Sequence, residues 1–309
     1  MNKKILLGLI IFSLYTGISY GANRIVVLNA DAIKILVALG ATDRIVGMAD
    51  KKPKLLPSLL KDVPEVGSLG SPNIEAIVKL EPDVVIAYDS WPSQDFLEDK
   101  LLPFGIKVLR IACYKINSFT EDIKILGNLV GKEKRAQEFI EFFQKYLGLI
   151  LERTKGIKKK LKVYLEYQDY STVSGGSGGD ELLKIVGLEN IASEFKIPFP
   201  KVSPEWVLAK NPDVIIKVPR LGVKEVNEDI FKELINRPGW KELKAVKEGK
   251  VHLVSYYEIW AGPKAIIGAL YLAKWCYPDA FLDINPEAIH KELAKKFYHE
   301  DLKGVYVWP

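Results

Sequence analysis

Glu75 and Glu205 occupy matched places in a repeated stretch of the chain. Asn73-Ile-Glu-Ala-Ile-Val-Lys-Leu-Glu-Pro-Asp-Val-Val-Ile86 aligns without a gap on Ser203-Pro-Glu-Trp-Val-Leu-Ala-Lys-Asn-Pro-Asp-Val-Ile-Ile216. Each copy opens with an N-cap residue, carries Glu at the second helical position, and passes through Pro-Asp into a β-branched strand. A carboxylate in the first turn of a helix is favoured by the helix dipole, typically by about 0.3–1 kcal/mol. A second group of residues is aromatic and falls at the ends of predicted strands or in the loops after them, with Phe199 just before the second Glu-bearing helix: Tyr88, Trp91, Tyr167, Tyr170, Phe199, Tyr256, Tyr257 and Trp260. Rings concentrated at strand ends suit a large flat or apolar ligand.

Other chemistries find little support. The three histidines, His252, His290 and His299, form no i, i+4 pair, and a site for a bare metal ion needs three or four converging ligands. Two cysteines cannot build a disulfide scaffold; Cys113 and Cys276 form either one bridge or two buried thiols. There is no Gly-x-Ser-x-Gly elbow, no His-Glu-x-x-His and no evident nucleophile–histidine pair, so an exported enzyme is the competing class rather than the favoured one. Gly175-Gly-Ser-Gly-Gly179 lacks the Lys-Ser/Thr ending of a nucleotide-binding loop and continues into Asp180, which repels phosphate. It is expected to be a mobile loop whose backbone comes close to a ligand.

The elements that must position these residues alternate. Strands are expected at 24–28, 45–48, 84–87 and 107–111, with helices at 32–39, 73–80 and 97–102, and Asn29 to Asp31 as a turn. From 119 to 160 the pattern is helical, with one long helix over 132–155 carrying apolar residues three or four apart. Strands then recur at 161–167, 213–218 and 251–254, with helices at 180–186, 203–209, 264–276 and 286–298. Two copies of one supersecondary unit on either side of a long helix imply two similar lobes. The expected fold class is α/β: two similar Rossmann-like lobes bridged by a single long α-helix, with the ligand cleft between the lobes. The expected boundaries are a signal peptide over 1–21, an N-terminal lobe over 22–118, a helical connector over 119–160 and a C-terminal lobe over 161–309.

Lys3 and Lys4, an apolar run over 5–18 and the small residues at Ser19 and Gly21 have the order of a secretory signal, too short to span a bilayer. No cysteine stands at the cleavage point, so a free periplasmic protein is expected. Its removal takes the net charge from +5 to +3. With 48% hydrophobic and 27% charged residues over 309 positions, the composition is globular and gives no signature of nucleic-acid binding. No later segment reads as membrane-spanning.

Together these features resemble the substrate-binding proteins of ABC importers for iron chelates and vitamin B12. The resemblance covers nearly all the chain after the signal, including both Glu-bearing helices, the connecting helix, Ile197-Pro-Phe-Pro-Lys-Val-Ser-Pro-Glu205 and Ala261-Gly-Pro-Lys264. It implies a monomeric, non-enzymatic protein without a cofactor. Such a protein binds a small-molecule metal complex and delivers it to an ABC permease dimer with its cytoplasmic ATPase. It implies that Glu75 and Glu205 dock on the permease, one per lobe, and that Phe199 and Trp260 lie in ligand-facing stretches. An iron chelate of the siderophore kind ranks first as ligand, with a corrinoid or haem next. Two departures bear on this. Lys264 stands where relatives of the anion-binding kind have arginine, and Leu69 stands where a corrinoid-binding wall residue is expected.

Overall fold

The strands are short runs of β-branched residues buried on both faces, which is the signature of parallel pairing. A computed structural model describes residues 21–50, 60–90, 95–219, 225–260 and 262–309. The signal segment therefore lies outside the described residues, apart from Gly21. The chain divides into two compact units, Met1–Cys113 with Thr120–Ile140, and Tyr114–Phe119 with Glu141–Pro309.

In the first unit, β1 (Ile25–Val27), α1 (Ala30–Ala38), β2 (Ile45–Met48), α2 (Ile74–Lys79), β3 (Val84–Ala87), α3 (Leu97–Leu101) and β4 (Lys107–Arg110) follow one another. The four strands form a parallel sheet in the order β2-β1-β3-β4. Val26, Leu28, Val66, Ile77, Val85 and Leu97 pack its core, each such buried side chain contributing about 1.5–3 kcal/mol. The expected turn at Asn29–Asp31 is instead a helix start. The Asn29 side chain accepts the N–H groups of Asp31 and Ala32, so helical backbone begins at Ala30.

The helical stretch contains α4 (Phe119–Val130) and α5 (Glu133–Thr154), broken at Gly131, whose φ of +64° ends the first of them. Its 22 residues make α5 about 33 Å long. It begins in the first unit and ends in the second.

The second unit contains β5 (Lys162–Glu166), α6 (Gly178–Ile185), β6 (Glu189–Asn190), α7 (Pro204–Lys210), β7 (Val214–Lys217), α8 (Glu228–Ile235), α9 (Lys244–Lys247), β8 (Val251–Val254), α10 (Ala265–Cys276), α11 (Pro286–Leu293) and β9 (Val307–Trp308). Its sheet runs β6-β5-β7-β8-β9, parallel except for the last strand. The parallel part repeats the order of the first sheet. The expected helix over 286–298 ends at Leu293 and loosens into one π-turn through Tyr298.

The sequence repeat is also a structural one. Residues 71–80 and 201–210 have the same succession of buried and exposed positions. Asn73 and Ser203 cap through their side chains, and Glu81 and Asn211 close the helices with φ of +45° and +42°. The aspartates that follow do the same work. Asp83 Oδ2 accepts the Asn23 and Arg24 N–H groups, and Asp213 Oδ2 accepts that of Lys162, so each carboxylate ties down the entrance to the neighbouring strand. Burial works to raise the Asp213 carboxyl, but Lys244 Nζ at 2.5 Å and the Lys162 N–H at 2.9 Å outweigh it and hold it below the ordinary range.

A depressed carboxyl stabilises the fold above its unfolded pKa, and that stability is lost as pH falls through the folded value. Asp213→Ala is expected to lower the unfolding free energy by about 1–3 kcal/mol at pH 7. Urea titrations at pH 7 and pH 3 check this: the gap between wild type and variant narrows at the lower pH.

Candidate ligand-binding site

Tyr167 leaves the carboxyl end of β5, and three other rings or ring systems gather on it. The indole Nε1 of Trp260 donates to its hydroxyl at 2.6 Å. Phe199 and Tyr256 meet its ring edge-on, with centroids 6.1 and 6.0 Å away. Phe199 is 52% exposed, Tyr167 and Tyr256 are half-buried, and Trp260 is buried. The cluster is thus open on one side and anchored on the other.

The anchor is a wide turn. After β8 the chain makes a single π-turn over Tyr256–Trp260, which projects Tyr256 and Trp260 while turning Glu258 inward. Glu258 Oε2 accepts from Lys264 Nζ at 2.5 Å, and both side chains are buried. The Lys264 ammonium also lies over the Tyr298 ring, 4.9 Å from its centroid. His290 Nε2 is 3.9 Å from the same Glu258 oxygen. Burial, aided by the Lys264 charge, pushes the His290 pKa down to about 3, so the imidazole is neutral at physiological pH. Lys264 is therefore a structural cation and does not present its charge to a ligand.

Hydrogen bonds within the protein tie down the glycine loop. Ser177 caps α6 through its hydroxyl. The buried Asp180 carboxylate accepts from the Gly176 N–H at 2.8 Å and from Asn190 Nδ2 at 3.1 Å, and it pairs with Lys184 at 2.6 Å. Burial opposes ionisation of Asp180, yet these partners hold it below the ordinary carboxylate range. Glycine is required here by protein atoms: a Cβ on Gly179 would stand 2.8 Å from Leu165 Cδ2 and 3.3 Å from the Tyr167 hydroxyl oxygen.

A charged group that the sequence reasoning missed lies at the same strand ends. Glu166 and Lys217 are register partners and the last residues of β5 and β7. The Arg237 guanidinium binds both Glu166 oxygens, at 2.8 and 2.9 Å, and Lys217 Nζ donates to Glu166 Oε1 at 2.5 Å. Asp169 Oδ1 stands 3.5 Å from Arg237 and 3.8 Å from Lys217. The available signal was a Glu and a Lys each ending an otherwise apolar strand.

The chain matches the family model for periplasmic binding proteins over residues 25–255. It belongs to that family. Among curated proteins it is 27% identical to the molybdate-binding protein MolA of Haemophilus influenzae, over 91% of this chain and 87% of that one. It is 26% identical to the vitamin B12-binding protein of Yersinia pestis, over 67% of this chain and 73% of the other. Among solved structures, the TroA-like periplasmic binding protein FepB from Veillonella parvula superposes with a TM-score of 0.79 at 27% identity, covering 93% of this chain and 95% of that one. Proteins of this family bind ligands for ABC importers and work with a permease and its ATPase; they are not enzymes.

Within this periplasmic binding protein, the ring residues expected from the sequence fall into three groups. Tyr167, Phe199, Tyr256 and Trp260 come together as described. Tyr170 does not join them: with φ of +57° it turns onto Trp240, centroids 6.1 Å apart, and carries the Arg237 guanidinium over its face at 4.6 Å. Tyr88, in the first unit, is buried and donates its hydroxyl to Asp31 Oδ2 at 3.1 Å. Trp91 and the side chain of Tyr257 lie outside the described residues. Glu75 and Glu205 are exposed at the second positions of α2 and α7. The Glu205 carboxyl is held below its ordinary range by its own N–H and the Ser203 hydroxyl.

The cysteines are free thiols. Burial, reinforced by Asp122, Asp31 and Asp89, pushes Cys113 far above the usual thiol range, and burial pushes Cys276 up to about 12. Neither supplies a thiolate nucleophile or metal ligand near neutral pH. Among the described residues, no three His, Cys, Asp or Glu side chains are grouped to hold a bare metal ion. No helix among them is long and apolar enough to cross a membrane.

Replacing Tyr167 with Phe strands the Trp260 N–H in a buried site. The expected cost is about 1–3 kcal/mol of stability, with a blue shift of tryptophan emission. Chemical denaturation and fluorescence spectra of Y167F measure both.

Proposed function

We propose that this protein binds a metal complex, an iron chelate of the siderophore type, at the carboxyl ends of its strands, and hands it to an ABC permease. The observation that carries this reading is the ring cluster of Tyr167, Phe199, Tyr256 and Trp260, open on one side and backed by the buried Glu258–Lys264 pair. Open α/β sheets bind ligands beyond the carboxyl ends of their strands, where the strand order reverses. In the second unit that reversal falls between β5 and β7, next to Tyr167. Aromatic faces fit the organic shell of a chelate, and a metal already held in its shell needs no protein ligands.

A second reading, an oxyanion such as molybdate, is favoured by the 27% identity to MolA over most of the chain. A corrinoid or haem also suits ring contacts, and the Yersinia relative is a vitamin B12-binding protein. Glu75 and Glu205 are proposed as the permease contacts. Each is an exposed carboxylate on a capped helix start, one in each unit, which supports pairing with basic side chains of a permease.

Tryptophan quenching during titration with ferric enterobactin, ferric citrate, cyanocobalamin, haemin and molybdate identifies the ligand class. Saturable quenching by a ferric complex, weakened about tenfold by F199A or Y256A, is the expected result; that loss corresponds to about 1.4 kcal/mol. Quenching by molybdate alone decides for the oxyanion. In reconstituted transporter, reversing both Glu75 and Glu205 to Lys is expected to abolish stimulation of ATP hydrolysis while leaving ligand affinity within twofold. Unchanged stimulation in the double reversal rejects the docking role.

A further inference from the structure

The charged group at the ends of β5 and β7 is unevenly neutralised. Glu166 is fully buried, and both of its oxygens are taken by Arg237 and Lys217. One anion thus serves two cations. The second counter-charge comes from Asp169, whose side chain is 76% exposed and stands at 3.5 and 3.8 Å, at or beyond the limit of a hydrogen bond. Lys217 and Arg237 are themselves only 8% and 13% exposed. Lys217 can donate three hydrogen bonds and makes one among the described residues. The Arg237 guanidinium lies 4.6 and 4.8 Å from the ring centroids of Tyr170 and Trp240 and is tied to both Glu166 oxygens, so its remaining donors have a fixed direction.

We propose that Lys217 and Arg237 form a seat for an anionic oxygen group of the ligand, and that Asp169 fills this seat until the ligand displaces it. The inference rests on the reading that the ligand binds at these strand ends, and it adds the charge that the ligand carries there. The chemistry is that of a carboxylate on a metal chelate or of a tetrahedral oxyanion. Either brings an oxygen to the Arg237 donors that Glu166 leaves over and Asp169 now faces, beside a buried ammonium. The position supports it: Glu166 and Lys217 end the two strands between which the sheet order reverses. Asp169 acts as an internal competitor. It keeps the pair from remaining unbalanced when empty, and its loose geometry makes it easy to exchange.

The test uses the full chain and three probes in low-chloride buffer: sodium molybdate, ferric citrate and uncharged cyanocobalamin. Binding is followed by calorimetry and by tryptophan emission, with Trp240 beside Arg237 as the reporter. Wild type is expected to bind at least one of the two anions. Asp169→Asn, at an exposed position, tightens that binding at least fivefold. Lys217→Met weakens it at least tenfold. Neither change alters cyanocobalamin binding more than twofold. Anion affinity of D169N within twofold of wild type overturns the seat, whatever K217M does. Wild type binding cyanocobalamin but neither anion also overturns the seat and leaves the metal-complex reading standing. Binding of molybdate alone, with the expected responses of both variants, keeps the seat and rejects the metal-complex reading. No response to any probe by wild type and D169N rejects both.

Discussion

A parallel strand buried on both faces carries most of its polar chemistry at its ends, His252 inside β8 being met by the Pro309 carbonyl. β3, β7 and β8 are buried at every position, and β5 from its second. The ends divide their labour. At the entry ends, Asp83 and Asp213 hold the neighbouring backbone. At the exit ends stand Asn29 and Tyr88 in the first unit and Glu166, Tyr167 and Lys217 in the second, each close to the place in its own sheet where the strand order reverses. Backbone anchoring and the candidate ligand site are therefore separated along a distance of four or five residues.

The two units show how far one plan can be varied. Capped helix, left-handed closing residue, aspartate and strand recur in both, with the same burial along the two helices. The exit ends do not match. In the first unit the Asn29 side chain reaches across to the carbonyl oxygens of Ile111 and Ala112, and Tyr88 is committed to Asp31. In the second unit the equivalent region carries open rings and a buried trio of charges. The caps, closing residues and aspartates common to both copies serve folding; the exit ends, which differ, are free to vary with the ligand.

Much of this was legible in the sequence because it is local. Pro-Asp before a β-branched run, Asn or Ser before a helix and an ungapped repeat are short-range signals, and the structure reproduces them at Asn73, Ser203, Asp83 and Asp213. The ring cluster was half legible. Loops after strands pointed to Tyr167 and Tyr256, but nothing local distinguishes Tyr170, three residues on, whose positive φ swings it to Trp240. The Glu166–Lys217–Arg237 group was not found because its members are 51 and 71 residues apart and meet only through strand register and the turn after α8. The glycine loop misled for a related reason. Its glycines are needed where Leu165 and Ser193 approach from other elements, which no local pattern announces. The two-residue strands β6 and β9 are likewise products of tertiary pairing.

The antiparallel strand β9 has a consequence for solubility. A parallel sheet ends in a row of unpaired amides that another chain can extend. In the second unit β9 covers the outer side of β8, and Pro309 follows it with no N–H to offer, its carbonyl oxygen 3.1 Å from His252 Nδ1. In the first unit β4, the strand at one edge, begins with Lys107 and ends with Arg110, whose guanidinium is occupied by Glu98. One edge is shut by a reversed strand and a proline, the other bracketed by charge. Both devices hinder strand-by-strand self-association at these edges.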